Sequence, residues 1–170
     1  MAKKILVFGL TTLDIINLCE KFPEEDEDVR VLKQYWQKGG NAANTSEVLA
    51  QLGIEVHLFS AFADGNPMSD FARRSLDATG VNTKHCAVFQ SNGFPTSCCI
   101  VTKSTGSRTI MHGRNDFPEL TVEQFKTIDL SEYAWLHFEG RGFPHLTEIV
   151  YEAAIIREKK NLNYKKSCAL

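Results

Sequence analysis

The stretch Gly39-Gly40-Asn41-Ala42-Ala43-Asn44 joins an alternating segment on its amino side to a helical one on its carboxyl side. Two adjacent glycines let a backbone come close to a ligand and take up positive φ. Asn41 and Asn44, three residues apart, share one face of a helix's first turn, and each amide carries a donor and an acceptor. Such a set suits a neutral polyol, whose hydroxyls need hydrogen bonds from several directions and no charge, metal or redox centre. The same run also reads as a glycine turn with an asparagine capping a helix.

Working outward, residues 41–52 carry Ala42, Val48, Leu49 and Leu52 on one side, and Gly53 sits where a left-handed cap belongs. Residues 55–61 return to a strand. Asn66-Pro67 supply a cap and a first helical residue, after which Met68, Phe71, Ala72, Ser75 and Leu76 keep helical spacing as far as Gly80. Upstream, residues 3–10 form a continuous apolar run, the pattern of a parallel strand covered on both faces. Residues 20–28 are acidic and contain Pro23, which marks a solvated turn. Residues 29–36 alternate, with Val29, Val31 and Tyr35 on one face, as in a half-covered strand. Strand, helix, strand, helix is the rhythm of an α/β layer with parallel strands.

Residues 85–113 break that rhythm. Three strand-like segments, 86–89, 96–103 and 108–112, follow one another without a helix, the last two joined by the turn Lys103-Ser104-Thr105-Gly106-Ser107. They predict a small antiparallel sheet inserted into the α/β layer, with residues 29–36 as a further member. The rhythm then resumes with a short helix at 121–125, a buried strand at 133–138, and a helix opened by Pro144 with Leu146, Ile149, Val150 and Ala153 on its core face. Beyond Ile156 the basic residues Arg157, Lys159, Lys160, Lys165 and Lys166 read as a solvated tail. The expected division is therefore one domain over 1–156, with lid strands near 29–36 and 85–113, and a divergent basic tail over 157–170.

At 170 residues the chain suits a single domain with a real core, and 43% hydrophobic against 24% charged content excludes disorder. A net charge of −2 predicts no nucleic-acid partner. Five cysteines without a Cys-x-x-Cys pair fit neither a disulfide framework nor a zinc site, and imply a reducing, cytoplasmic setting. The apolar run at the start is too short for a membrane span and lacks a signal-cleavage pattern.

Three further places can carry chemistry. Asp14 follows the first strand, at the carboxyl edge where open α/β sheets bind ligands, and can accept from two neighbouring hydroxyls; an Asx turn is its other reading. Arg108, between Ser107 and Thr109, matches phosphate geometry, or is an exposed strand arginine. Glu139-Gly140-Arg141-Gly142 follows the buried strand and reads as a ligand-side turn or a surface charge pair. The histidines show no metal-ligand spacing, no serine sits in a nucleophile elbow, and Gly9-Leu10-Thr11-Thr12-Leu13-Asp14 lacks the later glycines of a dinucleotide fingerprint.

Taken together, these motifs resemble the amino-terminal half of the ribokinase-like carbohydrate kinases, the PfkB family, and most of all its fructose-phosphorylating members. The resemblance is carried by Gly9 with Leu13-Asp14-Ile15-Ile16, by residues 36–44, by Gly106-Ser107-Arg108-Thr109-Ile110, and by residues 135–141. It implies a ribokinase-like parallel αβα layer, incomplete here, with a β lid, and transfer of the ATP γ-phosphoryl group to the 1-hydroxyl of fructose. It implies that Asp14, Gly40, Asn41 and Asn44 hold the sugar and that Arg108 contacts the nucleotide phosphates. It also implies Mg²⁺ with ATP, a response to K⁺, and pairing through the lid strands, as a homodimer or with an intact kinase subunit. The family's second signature, D-T-x-G-A-G-D, which supplies the catalytic aspartate and an anion hole, does not occur in these 170 residues. No catalytic or metal-ligating residue is therefore assigned, and the chain alone is expected to be inactive.

Overall fold

In the computed structural model, residues 4–140, 144–159 and 166–169 are described. The strands and helices follow in the order β1 (Lys4–Phe8), β2 (Thr12–Cys19), β3 (Lys33–Gly39), α1 (Asn41–Gln51), β4 (Val56–Phe59), β5 (Ala61–Ala63) and α2 (Pro67–Ala78). They continue with β6 (Ala87–Phe89), β7 (Thr96–Thr102), β8 (Arg108–Gly113), α3 (Val122–Lys126), β9 (Tyr133–Glu139), α4 (Leu146–Lys159) and β10 (Lys166–Ala169).

The central layer is a parallel sheet of order β10-β9-β1-β4. Its β1 is the apolar run of the sequence, with Leu6, Val7 and Phe8 fully buried. Aromatic rings bind the layer together: Phe8 lies 5.4 Å from Phe59 and 5.9 Å from Phe138, and Phe125 of α3 closes the group at 5.8 and 6.3 Å from the same two partners. The helix starts follow the sequence chemistry. Asn66 accepts hydrogen bonds from the amides of Met68 and Ser69 ahead of Pro67, and Thr121 with Gln124 forms a reciprocal capping box.

The lid is a second sheet of order β3-β2-β7-β8. It is mixed rather than antiparallel, because its two middle strands, β2 and β7, run parallel while β3 and β8 flank them antiparallel. Trp36 of β3 packs edge-on against Phe71 of α2 at 5.8 Å and seats the lid on the main layer.

Several expectations are corrected. Residues 12–19 form a full lid strand, so Asp14 is the third residue of β2 and not a loop residue after β1. The strand expected at 29–36 lies at Lys33–Gly39, where its hydrogen bonds to β2 fix the register from Gly39 opposite Thr12 to Lys33 opposite Leu18. Residues 87–89 pair with β5 beside the main layer and do not belong to the lid. Val48 and Leu52 are 54% and 72% exposed; the buried face of α1 is Ala42, Ala43 and Ser46, small residues that let the helix backbone approach the sheet.

The solvated tail also departs from expectation. Arg157 is buried on α4 and donates through Nη2 to the Tyr133 carbonyl, and residues 166–169 extend the sheet parallel to β9. Strand pairing satisfies the backbone groups that β9 would otherwise present at an open edge. Among the described residues no helix is long and apolar enough to cross a membrane.

Candidate functional site

The carboxyl ends of β1 and β9 and the start of α1 meet at Gly9. Its φ is +151°, and a Cβ there would lie 2.8 Å from the Cβ of Ala42 and 2.9 Å from that of Glu139. Only glycine lets these three elements converge, at the carboxyl edge where α/β sheets bind ligands.

Gly39 and Gly40 shape the backbone beside this edge, which is the candidate cleft. A Cβ on Gly39 would fall on the Asp14 carboxylate, and one on Gly40 (φ +91°) would fall on the Leu10 carbonyl. Asp14 is thus seated over the bare backbone of Gly39, with the Thr12 hydroxyl donating to its Oδ1 at 3.1 Å. Gly40 occupies the N-cap of α1 and provides no side-chain cap, so the first-turn amides of the helix keep donor capacity at the cleft. Asn41 is therefore the first helical residue and not the cap, and both Asn41 and Asn44 are exposed.

Two further groups organise this wall. Lys38, buried at 6% exposure, donates to Asn44 Oδ1 at 2.7 Å and pairs with Glu47 at 2.6 Å. Glu139 Oε1 accepts from the Thr45 hydroxyl at 3.1 Å and lies 2.9 Å from His137 Nε2. Neither Lys38 nor Thr45 and His137 was singled out by spacing, because these contacts bridge a chain turn or span the sequence from residue 45 to residue 139.

Asp14, Gly40, Asn41, Asn44 and Glu139 are brought to one region, while Arg108 is not among them. Across the lid, Asp14 lies in register with Gln37 and Ser97, and Ser97 with His112; Arg108 lies in the row of Val101 and Leu18. Both rows share a face, four residues apart, which at about 3.3 Å per residue places Arg108 about 13 Å along the strand direction. Arg141 falls outside the described residues. Among the described residues no group of three or more His, Cys, Asp or Glu side chains forms a metal-ligand set.

A parallel α/β sheet whose carboxyl edge carries a Gly-Gly-Asn helix start beneath a β lid defines the ribokinase-like class of carbohydrate kinases. The family model described as pfkB family carbohydrate kinase matches residues 2–168, and the chain belongs to this family. It is 42% identical to ketohexokinase of Mus musculus over 145 residues, which is 82% of this chain and 47% of that protein. Solved structures share the fold. Ribokinase from Cryptococcus neoformans var. grubii serotype A in complex with ADP superposes with a TM-score of 0.73 at 18% identity, covering 95% of this chain and 50% of that one. The Thermotoga maritima 2-dehydro-3-deoxygluconokinase gives 0.74 at 21% identity, covering 96% and 52%. The chain spans about half the length of these relatives.

Proposed function

We propose that this chain is the sugar-holding half of an ATP-dependent kinase that phosphorylates fructose on its 1-hydroxyl, and that alone it holds the sugar without transferring phosphate. The observation that carries the reading is the Asp14 carboxylate, seated over Gly39 beside the uncapped start of α1. A carboxylate accepts from two adjacent hydroxyls, and first-turn amides and asparagine amides donate to sugar oxygens. In this reading Asp14, Gly40, Asn41 and Asn44 line the sugar, Glu139 borders it, and Arg108 meets the nucleotide phosphates. Arg108 and Asp14 belong to the same lid sheet, so lid closure would carry both over the ligands together. Such closure would also exclude water from the phosphoryl group.

Phosphoryl transfer needs an in-line acceptor, charge stabilisation and a base for the hydroxyl proton. This chain's residues supply positioning. The base and the anion-hole glycines belong to the D-T-x-G-A-G-D signature that these residues do not contain. The free thiols Cys19, Cys86, Cys98 and Cys99 agree with a cytoplasmic setting.

ADP release from Mg-ATP by the full chain, with and without fructose, tests the reading. Release equal in both is expected, and fructose-dependent turnover would overturn the claim of an inactive half. Fructose affinity unchanged by both Asp14→Ala and Asn41→Ala would remove the sugar site.

A second reading, a non-catalytic chain that pairs through its lid, is favoured by one feature. Tyr35 and Ile110 are 42% and 47% exposed on a single cross-strand row with Ile16 and Cys99.

A further inference from the structure

We infer that Lys38 is a positioning residue that fixes the Asn44 amide with its oxygen turned away from the ligand, so that Asn44 meets a ligand only as a donor. The inference rests on the sugar-holding reading above and specifies the polarity of that site. An ammonium group has three donors and no acceptor. The Asn44 atom it touches at 2.7 Å must therefore be Oδ1.

The arrangement is built rather than incidental. Lys38 is the penultimate residue of β3 and reaches across the Gly39-Gly40 turn to α1, where Asn44 and Glu47 stand three residues apart on one helical face. A buried ammonium is costly unless paired, and Glu47 at 2.6 Å supplies the counter-charge. With Oδ1 held, Nδ2 and its two hydrogens are what the exposed Asn44 side chain presents. Asp14, a carboxylate that already accepts from Thr12, only accepts. The cleft thus has an accepting wall at Asp14 and a donating wall at Asn44. A hydroxyl fits when it gives its proton to the first and takes one on its oxygen from the second. Protonated amines, which carry donors and no acceptor, fit the donating wall poorly.

A double-mutant cycle on the full chain, read by fructose titration, separates this role from a general structural one. Lys38→Met is expected to weaken fructose about tenfold, the scale of one hydrogen bond. It is expected to have no further effect in an Asn44→Ala background, and Lys38→Arg is expected to restore most of the affinity. Equal weakening in both backgrounds would overturn the proposal. Because Lys38→Met leaves Glu47 without its cation, Lys38→Met/Glu47→Gln serves as the variant that removes the charge with its partner. A ligand-free readout is the Asn44 side-chain amide resonance of ¹⁵N-labelled protein. It should shift in the Lys38→Met variants and return with Lys38→Arg, and an unmoved resonance would overturn the proposal whether or not fructose binds. If that resonance shifts while wild type fails to bind fructose, the positioning role stands and the sugar reading falls.

Discussion

The carboxylate of Asp14 occupies the space that a side chain on Gly39 would fill. Neither residue carries the relationship alone. β2 and β3 pair antiparallel with Asp14 opposite Gln37 and Thr12 opposite Gly39, so the carboxylate leans diagonally onto the bare position. Gly39→Ala should therefore leave the lid sheet paired while displacing Asp14. Its expected signature is a loss of fructose affinity of about tenfold or more with a small change in thermal midpoint. Titration calorimetry beside a melting curve measures both, and retained affinity would remove Asp14 from the site.

Gly40→Ala should behave differently. At φ +91°, with the Leu10 carbonyl in the path of any Cβ, the substitution strains the backbone itself. A non-glycine residue forced into such a conformation costs about 1–3 kcal/mol. Urea denaturation should register that loss with or without sugar.

This contrast shows what the sequence made legible. The glycine pair, both asparagines and Asp14 stood out because they gather hydrogen-bonding groups and bare backbone near the starts of elements, and the alternation of strands and helices marked the parallel layer. β2 was not legible, because only three residues separate it from β1, where a βαβ rhythm leads one to expect a helix. Nor was the buried face of α1, where close approach selects Ala42, Ala43 and Ser46 over the larger Val48 and Leu52. Lys38, two residues past the strand expected at 29–36, carried no pattern of its own. Its role depends on a turn geometry that brings β3 against α1, which no local pattern encodes.

Stability should fall in mild acid, and the cause lies at the opposite edge of the sheet from the cleft. Tyr133 Oη sits 2.6 Å from His57 Nδ1 and 2.7 Å from His85 Nε2. Burial, followed by the charge of Lys84, lowers His85 to about 4, and burial, followed by Lys84 and Lys4, lowers His57. Glu55 and Glu132 oppose these shifts without reversing them. In the unfolded chain both imidazoles take up protons near the ordinary histidine value of about 6.5. The unfolded state then binds more protons than the folded one as pH drops from about 6.5 toward 4, so stability is lost across that window. Denaturation midpoints measured from pH 7.5 to 4.5 should fall, and the fall should be shallower in His85→Gln. A flat profile would contradict the buried neutral imidazoles.

Phe59 links β4 to β1 and α3 through rings at 5.4 and 5.8 Å. Its side chain is 1% exposed, so Phe59→Ala should cost about 3–5 kcal/mol through lost burial and a residual cavity. Chemical denaturation reads this directly. Phe59→Leu, which retains most of the volume, should lose much less.

Self-association through the lid is tested at Ile110. If the face carrying the exposed Tyr35 and Ile110 forms a contact between two chains, Ile110→Glu places unpaired charges within it. Sedimentation should then move toward the monomer, while Val48→Glu on the exposed face of α1 leaves the distribution unchanged. Equal effects from both substitutions would point to non-specific association and away from the lid.

The strand at residues 166–169 governs the fate of the sheet edge. Leu136, His137, Phe138 and Glu139 of β9 lie in parallel register with Lys166, Ser167, Cys168 and Ala169. In a parallel ladder, alternate residues bond to alternate neighbours, so half of the β9 amides in this span depend on β10 and the rest on β1. Shortening the chain to residues 1–159 would leave those groups open beside an apolar strand, the arrangement that recruits further strands. Hydrogen exchange should then accelerate in the peptide covering residues 133–139 while the peptide over residues 4–8, which still pairs with β4, keeps its protection. Turbidity on warming should rise with it. Exchange across residues 133–139 that is indifferent to the truncation would mean that β10 does not hold the edge in solution, and that the sheet is stable with β9 as its last strand.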